Sequence, residues 1–96
     1  MNIEYSAKAA KNMVAIYHYI AEKGYPDTAS KYIERMFGFI ESLTTMPDKY
    51  KLCSRQSWTK RKLRCAVFED TYVIAYKVAS NESFLIFDIV HGKVLG

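Results

Sequence analysis

Between residues 7 and 23, Ala9, Met13, Ile16, Tyr17 and Ile20 recur at helical spacing and form one apolar stripe, which predicts a helix over 7–23. Ser6 stands where a hydroxyl caps the first turn, and Gly24 supplies the stop. The preceding "IEY" at 3–5 reads as a short edge strand. "YPDTAS" then restarts the chain, with Pro26 at a helix entrance and Asp27 or Thr28 as its cap. Ala29, Tyr32, Ile33, Met36, Phe37, Ile40 and Leu43 make a second, more regular stripe that Pro47 ends. Met13, Met36 and Phe37 are assigned to the core. The short link between the stripes predicts an antiparallel helical hairpin.

After Pro47 the helical period is lost. Residues 48–61 are polar, basic and aperiodic, the pattern of a long functional loop. "KLRCAVF", "YVIAYKV" and "FLIFDIV" follow, rich in branched and aromatic residues and separated by the turn-prone "EDT" and "ASNES". They predict an antiparallel meander with one face against the helical hairpin. Strict alternation puts Leu85, Phe87, Ile89 and His91 on one face of the last strand, and Phe84, Ile86, Asp88 and Val90 on the other. An up-down-up path places Arg64 at one rim of the sheet. His91 then falls at the opposite rim, beside Tyr72.

Composition narrows the class. Ninety-six residues, half of them apolar and a quarter charged, fit one globular domain spanning 1–96. No stretch reaches membrane-spanning length, and the N-terminus lacks the basic-then-apolar pattern of a signal peptide. Cys53 and Cys65, without CxxC spacing, read as reduced thiols of a cytosolic protein, and neither a disulfide nor a zinc site is expected. The net charge of +4 is unevenly spread. Lys49, Lys51, Arg55, Lys60, Arg61, Lys62 and Arg64 fall in one run without an acid, half of the chain's 14 Lys and Arg. Such a run is either a surface for a phosphate backbone or acidic partner, or a solvated loop that aids solubility.

Each candidate residue carries two readings. Arg64 contacts phosphate, or bridges an acid and covers apolar surface with its stem. His91 transfers protons, or serves as a structural donor. Tyr72 and Tyr76 serve a site, or are half-buried sheet residues with satisfied hydroxyls. Trp58 stacks on a base or on Arg55, or anchors the basic loop to the core. GxSxG, Gly-rich phosphate-loop and HExxH motifs are missing, as is an acidic cluster for a divalent metal, so no cofactor is expected. If RNA is cut, its own 2′-hydroxyl attacks the phosphate while the protein moves protons and neutralises charge.

The order of these features resembles the RelE/ParE superfamily of toxins from type II toxin–antitoxin systems. The matching pieces are "AKAAKNMVAIYHYIAEKGYPDTASKYIERMFGFIESLTTMP", "KLRCAVFEDTYVIAYKV" and "FLIFDIVHGK". They contain an I-x-x-Y-I-A helix, an A-x-x-Y-I second helix, an L-x-x-x-P exit, an arginine strand, a Y-x-I-x-Y strand and a terminal I-x-H-G. The details are more similar to the ParE branch. The resemblance implies an α+β fold: a short N-terminal strand and an antiparallel helical hairpin packed on a three- to four-stranded antiparallel sheet. It implies a cytoplasmic growth inhibitor, silenced by a cognate antitoxin with which it forms a hetero-oligomer. DNA gyrase is the implied target in the ParE branch, and ribosome-bound mRNA in the RelE branch. By position, Arg64 and His91 are the catalytic candidates if the chain is a metal-independent endoribonuclease. Arg55, Lys60, Arg61, Lys62, Arg64, Tyr72 and Lys93 are the candidate contacts to target or nucleic acid. Gly92 after His91, "DKYKLCS" after Pro47 and the short tail ending at Gly96 depart from the pattern. They leave an inactive relic or a non-toxic nucleic-acid-binding protein as further alternatives.

Overall fold

The computed structural model describes residues 2–95, with side chains through Lys93. Gly96, on which the short-tail expectation rests, lies outside the described residues. The order is β1 (Asn2–Tyr5), α1 (Ala7–Ala21), α2 (Pro26–Thr45), a 3₁₀ turn (Pro47–Lys49), α3 (Gln56–Lys60), β2 (Arg64–Phe68), β3 (Tyr72–Val78), β4 (Ser83–His91) and α4 (Gly92–Leu95).

Ser6 does the work its position predicts. Its hydroxyl accepts from the Ala9 amide at 2.9 Å and donates to the Phe87 carbonyl at 2.6 Å. One side chain therefore caps α1 and ties that cap to β4. Gly24 takes φ 90° after α1, a conformation that costs glycine little. The second cap differs from expectation. α2 begins at Pro26 behind Tyr25, with no side-chain cap, so Asp27 lies inside the first turn. Proline at the first helical position needs no amide partner, which removes one donor that a cap would otherwise satisfy.

The sheet order is β1-β4-β3-β2. β2, β3 and β4 form the expected antiparallel meander. β1 joins as a fourth strand parallel to β4, so the sheet is mixed. The hydrogen bond from the Ser6 amide to the Ile86 carbonyl continues that pairing into the helix cap. The helices bury Ala9, Met13, Ile16, Ala29, Met36, Ile40 and Leu43. Most of these pack on Ala66, Phe68, Ile74, Tyr76, Phe84, Ile86 and Ile89 of the sheet.

Two sequence expectations about side-chain placement fail here. Phe37 is 42% exposed, with its ring edge-on to Tyr5 at 6.1 Å. Strict alternation along β4 also breaks. The register passes from Tyr76↔Ile86 to Ala75↔Asp88, which leaves Phe87 as the extra residue of a β-bulge. Phe84, Ile86 and Ile89 therefore meet the main core, while Phe87 and Val90 pack on the opposite face of the sheet.

At the bulge, Asp88 is fully buried. Its Oδ1 accepts from the Asn12 amide at 2.9 Å and from the Ile89 backbone amide at 2.8 Å. Lys8 Nζ lies 3.2 Å from Oδ2. Asn12 also donates to the Ile89 carbonyl, so α1 reads the bulge through both groups. Replacing Asp88 by Ala takes the acceptor from the buried Ile89 amide and the half-buried Asn12 side chain, and leaves the exposed Lys8 without its ion-pair partner. The expected loss is about 2–3 kcal/mol, seen as a lower urea midpoint with an unchanged slope.

Candidate target-binding surface

The segment expected as a loop over 48–61 is an ordered lid on the second face of the sheet. After α2, the 3₁₀ turn leads into residues 51–53, which run antiparallel to the start of β2 through a Leu52↔Arg64 bridge. The Cys65 amide bonds to the Lys51 carbonyl and the Cys53 amide to the Leu63 carbonyl. α3 then carries Trp58, 4% exposed, into a second apolar cluster with Cys53, Leu63, Val73 and Ala75. Trp58 thus anchors the lid, with the Arg55 guanidinium 5.0 Å from its ring centroid. The Thr59 hydroxyl donates to the Cys53 carbonyl and fastens the helix to the incoming strand. Cys53 and Cys65 are joined by a disulfide, contrary to the expectation of free thiols. Their contact arises from the antiparallel return of the chain, which cysteine spacing along the sequence does not display.

The lid's cations face outward. Arg55, Lys60, Arg61 and Lys62 are exposed. Among the described residues, Arg64 is the one member of the basic run that forms an ion pair. Its Nη2 lies 3.3 Å from Asp48, and its Nη1 donates to the Tyr50 carbonyl at 2.6 Å. Arg64 therefore braces the 3₁₀ turn while one edge of its guanidinium borders a cleft of about 410 Å³. Arg61, Lys62 and Lys77 line the same cleft, with Asp48 as its acid and Tyr76 in its wall. Lys77 is absent from the sequence-based candidates. It faces the cleft only because β3 pairs beside β2, a neighbour relation that local sequence does not carry.

Tyr76 is fully buried and stacks on Phe84 at 5.1 Å, and its hydroxyl donates to the Pro47 carbonyl at 2.7 Å. Burial pushes that hydroxyl up to about 12. Tyr32, edge-on to Phe68 and Tyr72, is also raised to about 12 by burial, then by the Glu69 carboxylate. The unfolded chain ionises such phenols near pH 10. Above that pH the unfolded state sheds protons first. Stability is therefore full below about pH 10 and falls as pH rises towards 12. Urea midpoints across pH 9–11.5 check the trend, and Tyr76→Phe should flatten it.

The remaining candidates gather at the other rim. Tyr72 pairs with His91, and their rings meet edge-on at 5.4 Å. His91 Nδ1 accepts from the Lys93 amide at 3.1 Å, which leaves the neutral ring's proton on Nε2. Lys93 is exposed on α4. Arg64 pairs with Tyr76, four residues along β3 from Tyr72. At strand rise that is about 13 Å, so Arg64 and His91 do not converge on one phosphate.

A second feature lies across the helical hairpin. An apolar groove of about 500 Å³ runs between α1, α2 and the end of β1, lined by Tyr5, Met13, Val14, Tyr17, Ile33 and Phe37. Val14 is 56% exposed there. The exposed Phe37 is thus a groove wall, where the sequence pattern places a core residue. Among the described residues no helix is long and apolar enough to cross a membrane.

Known proteins share this architecture. A chain described as the chromosomal ParDE TA system from P. aeruginosa superposes with a TM-score of 0.77 at 17% identity, covering 95% of each chain. A search of curated proteins returned no match. The family described as ParE toxin of type II toxin-antitoxin system, parDE, matches residues 3–95. With that match spanning nearly its whole length, the chain belongs to the ParE toxin family of type II toxin–antitoxin systems.

Proposed function

We propose that this ParE-type toxin stops growth by binding DNA gyrase in the cytoplasm until a cognate antitoxin masks it. The observation that carries the binding reading is the separation of Arg64 from His91, set against Arg61, Lys62, Arg64 and Lys77 lining a single cleft. A cleft lined by these cations suits contact with an acidic protein surface or with DNA held on the enzyme. A proton-transfer pair about 13 Å apart along the sheet does not suit metal-free RNA cleavage. Arg55 and Lys60 extend the cationic surface beyond the cleft, whereas Tyr72 and Lys93 belong to the opposite rim and take no part in it.

The apolar groove is the antitoxin's seat. An amphipathic helix laying its apolar face between Val14 and Phe37 buries both residues. Acidic residues elsewhere in that partner complement the lid and speed encounter in a salt-dependent way. Induced expression of the toxin alone tests the toxic reading. Growth arrest with intact bulk mRNA supports it, and unimpaired growth points to a relic or a non-toxic binder.

A further inference from the structure

The disulfide sits apart from the main core, in the small cluster that holds the lid down. Cys53 and Cys65 close a loop that contains Arg55, Lys60, Arg61, Lys62 and Arg64, five of the seven cations in the basic run. Within it, α3 is only five residues long, too short to persist without tertiary support. Apart from backbone bonds, its support comes from Trp58, Leu63, the Thr59 hydroxyl, the Arg61 guanidinium over Phe87 and the covalent link. The helices bury their stripes on the other face of the sheet, so breaking the link leaves the main core intact.

The link is also reachable. Cys53 is buried, but Cys65 is half-buried and borders a cleft of about 430 Å³ flanked by Lys51 and Arg55. Two cations beside a disulfide stabilise the thiolate that leaves during exchange.

We propose that Cys53–Cys65 is a thiol-exchange site that sets the order of the basic lid. A thiolate of a dithiol reductant attacks Cys65 Sγ, the S–S bond breaks, and its electron pair leaves on Cys53 Sγ, which takes up a proton. The reductant's second thiolate then displaces Cys65, which is protonated in turn. The reductant ends as a disulfide, having given two electrons and two protons. In a reducing compartment the pair rests as thiols and the lid is loose. Oxidation clamps the lid and fixes the cations of the cleft. The effect on gyrase rests on the proposed target, whereas the effect on the lid does not.

Limited trypsin digestion of the wild-type protein, oxidised or treated with dithiothreitol, tests the clamp. Cleavage after Arg55, Lys60, Arg61 and Lys62 should rise at least tenfold on reduction, with a ceiling of about a hundredfold for a loop of this size. Cleavage after Lys11 and Lys31, on the helices, should not change. The Cys53→Ser/Cys65→Ser variant, and reduced wild type capped with iodoacetamide, should both cleave like reduced protein whether or not reductant is present. Equal lid cleavage in the two redox states overturns the proposal, as does a rise spread evenly along the chain. A gyrase supercoiling assay on the same samples separates the two claims. Stronger inhibition by the oxidised protein supports both. Redox-dependent lid cleavage with gyrase inhibited in neither state keeps the clamp and overturns the target.

Discussion

Reversing the charge of the cleft through Arg61→Glu, Lys62→Glu and Lys77→Glu is expected to abolish growth arrest while the protein stays folded. Each side chain lines the cleft, and none forms an ion pair among the described residues. The fold therefore loses little. The main cost is the Arg61 guanidinium, 5.1 Å from the Phe87 ring centroid, a contact worth about 0.5–1 kcal/mol. Lys62 has φ 58°, so glutamate there meets the same backbone strain as lysine. Against an anionic target the change is much larger. Like charges across an interface cost several kcal/mol, or about a thousandfold in affinity. Colony counts after induction, with a urea melt of the purified variant, check both halves. Arrest that persists in a folded triple variant places the working surface elsewhere.

The second large effect concerns neutralisation. Val14→Glu with Phe37→Glu should leave the toxin active but insensitive to its antitoxin. Both side chains are substantially exposed in the free protein and line the apolar groove. Placing two carboxylates there costs the Phe37 edge contact with Tyr5, about 0.5–1.5 kcal/mol beyond lost burial, and leaves the main core untouched. It obliges any helix docking in the groove to desolvate charge without a partner. That costs several kcal/mol, about a thousandfold or more in affinity. Co-expression with the antitoxin should rescue growth for wild type and fail for the variant. Full rescue of the variant would move the antitoxin to another face.

The helices were legible because each packs a single stripe against one layer. Ala9, Met13 and Ile16, then Met36, Ile40 and Leu43, follow the helical period and are buried. Ser6, Gly24 and Pro47 mark turns of the chain through local chemistry, and local chemistry is visible in sequence. Phe37 failed because a helix beside a groove carries apolar residues past the edge of the core, and periodicity cannot separate a groove wall from a core face. The alternation along β4 failed at Ile89 and Val90 for a different reason. A bulge changes which side chains share a face, and its signal was the lone acid within "FLIFDIVHGK", legible as an interruption but not as a change of register. The separation of Arg64 from His91 followed from strand order alone, whereas Lys77 and the disulfide depend on which segments lie side by side. Parallel pairing of β1 with β4 likewise joins the two ends of the chain, beyond the reach of any local pattern.

The claim that binding to gyrase, rather than RNA cleavage, stops growth is tested most directly by giving the purified oxidised protein two substrates in parallel. One is DNA gyrase with relaxed plasmid, and the other is a ribosome complex programmed with mRNA. Loss of supercoiling with uncut mRNA is the predicted result. Cut mRNA with supercoiling untouched would contradict it.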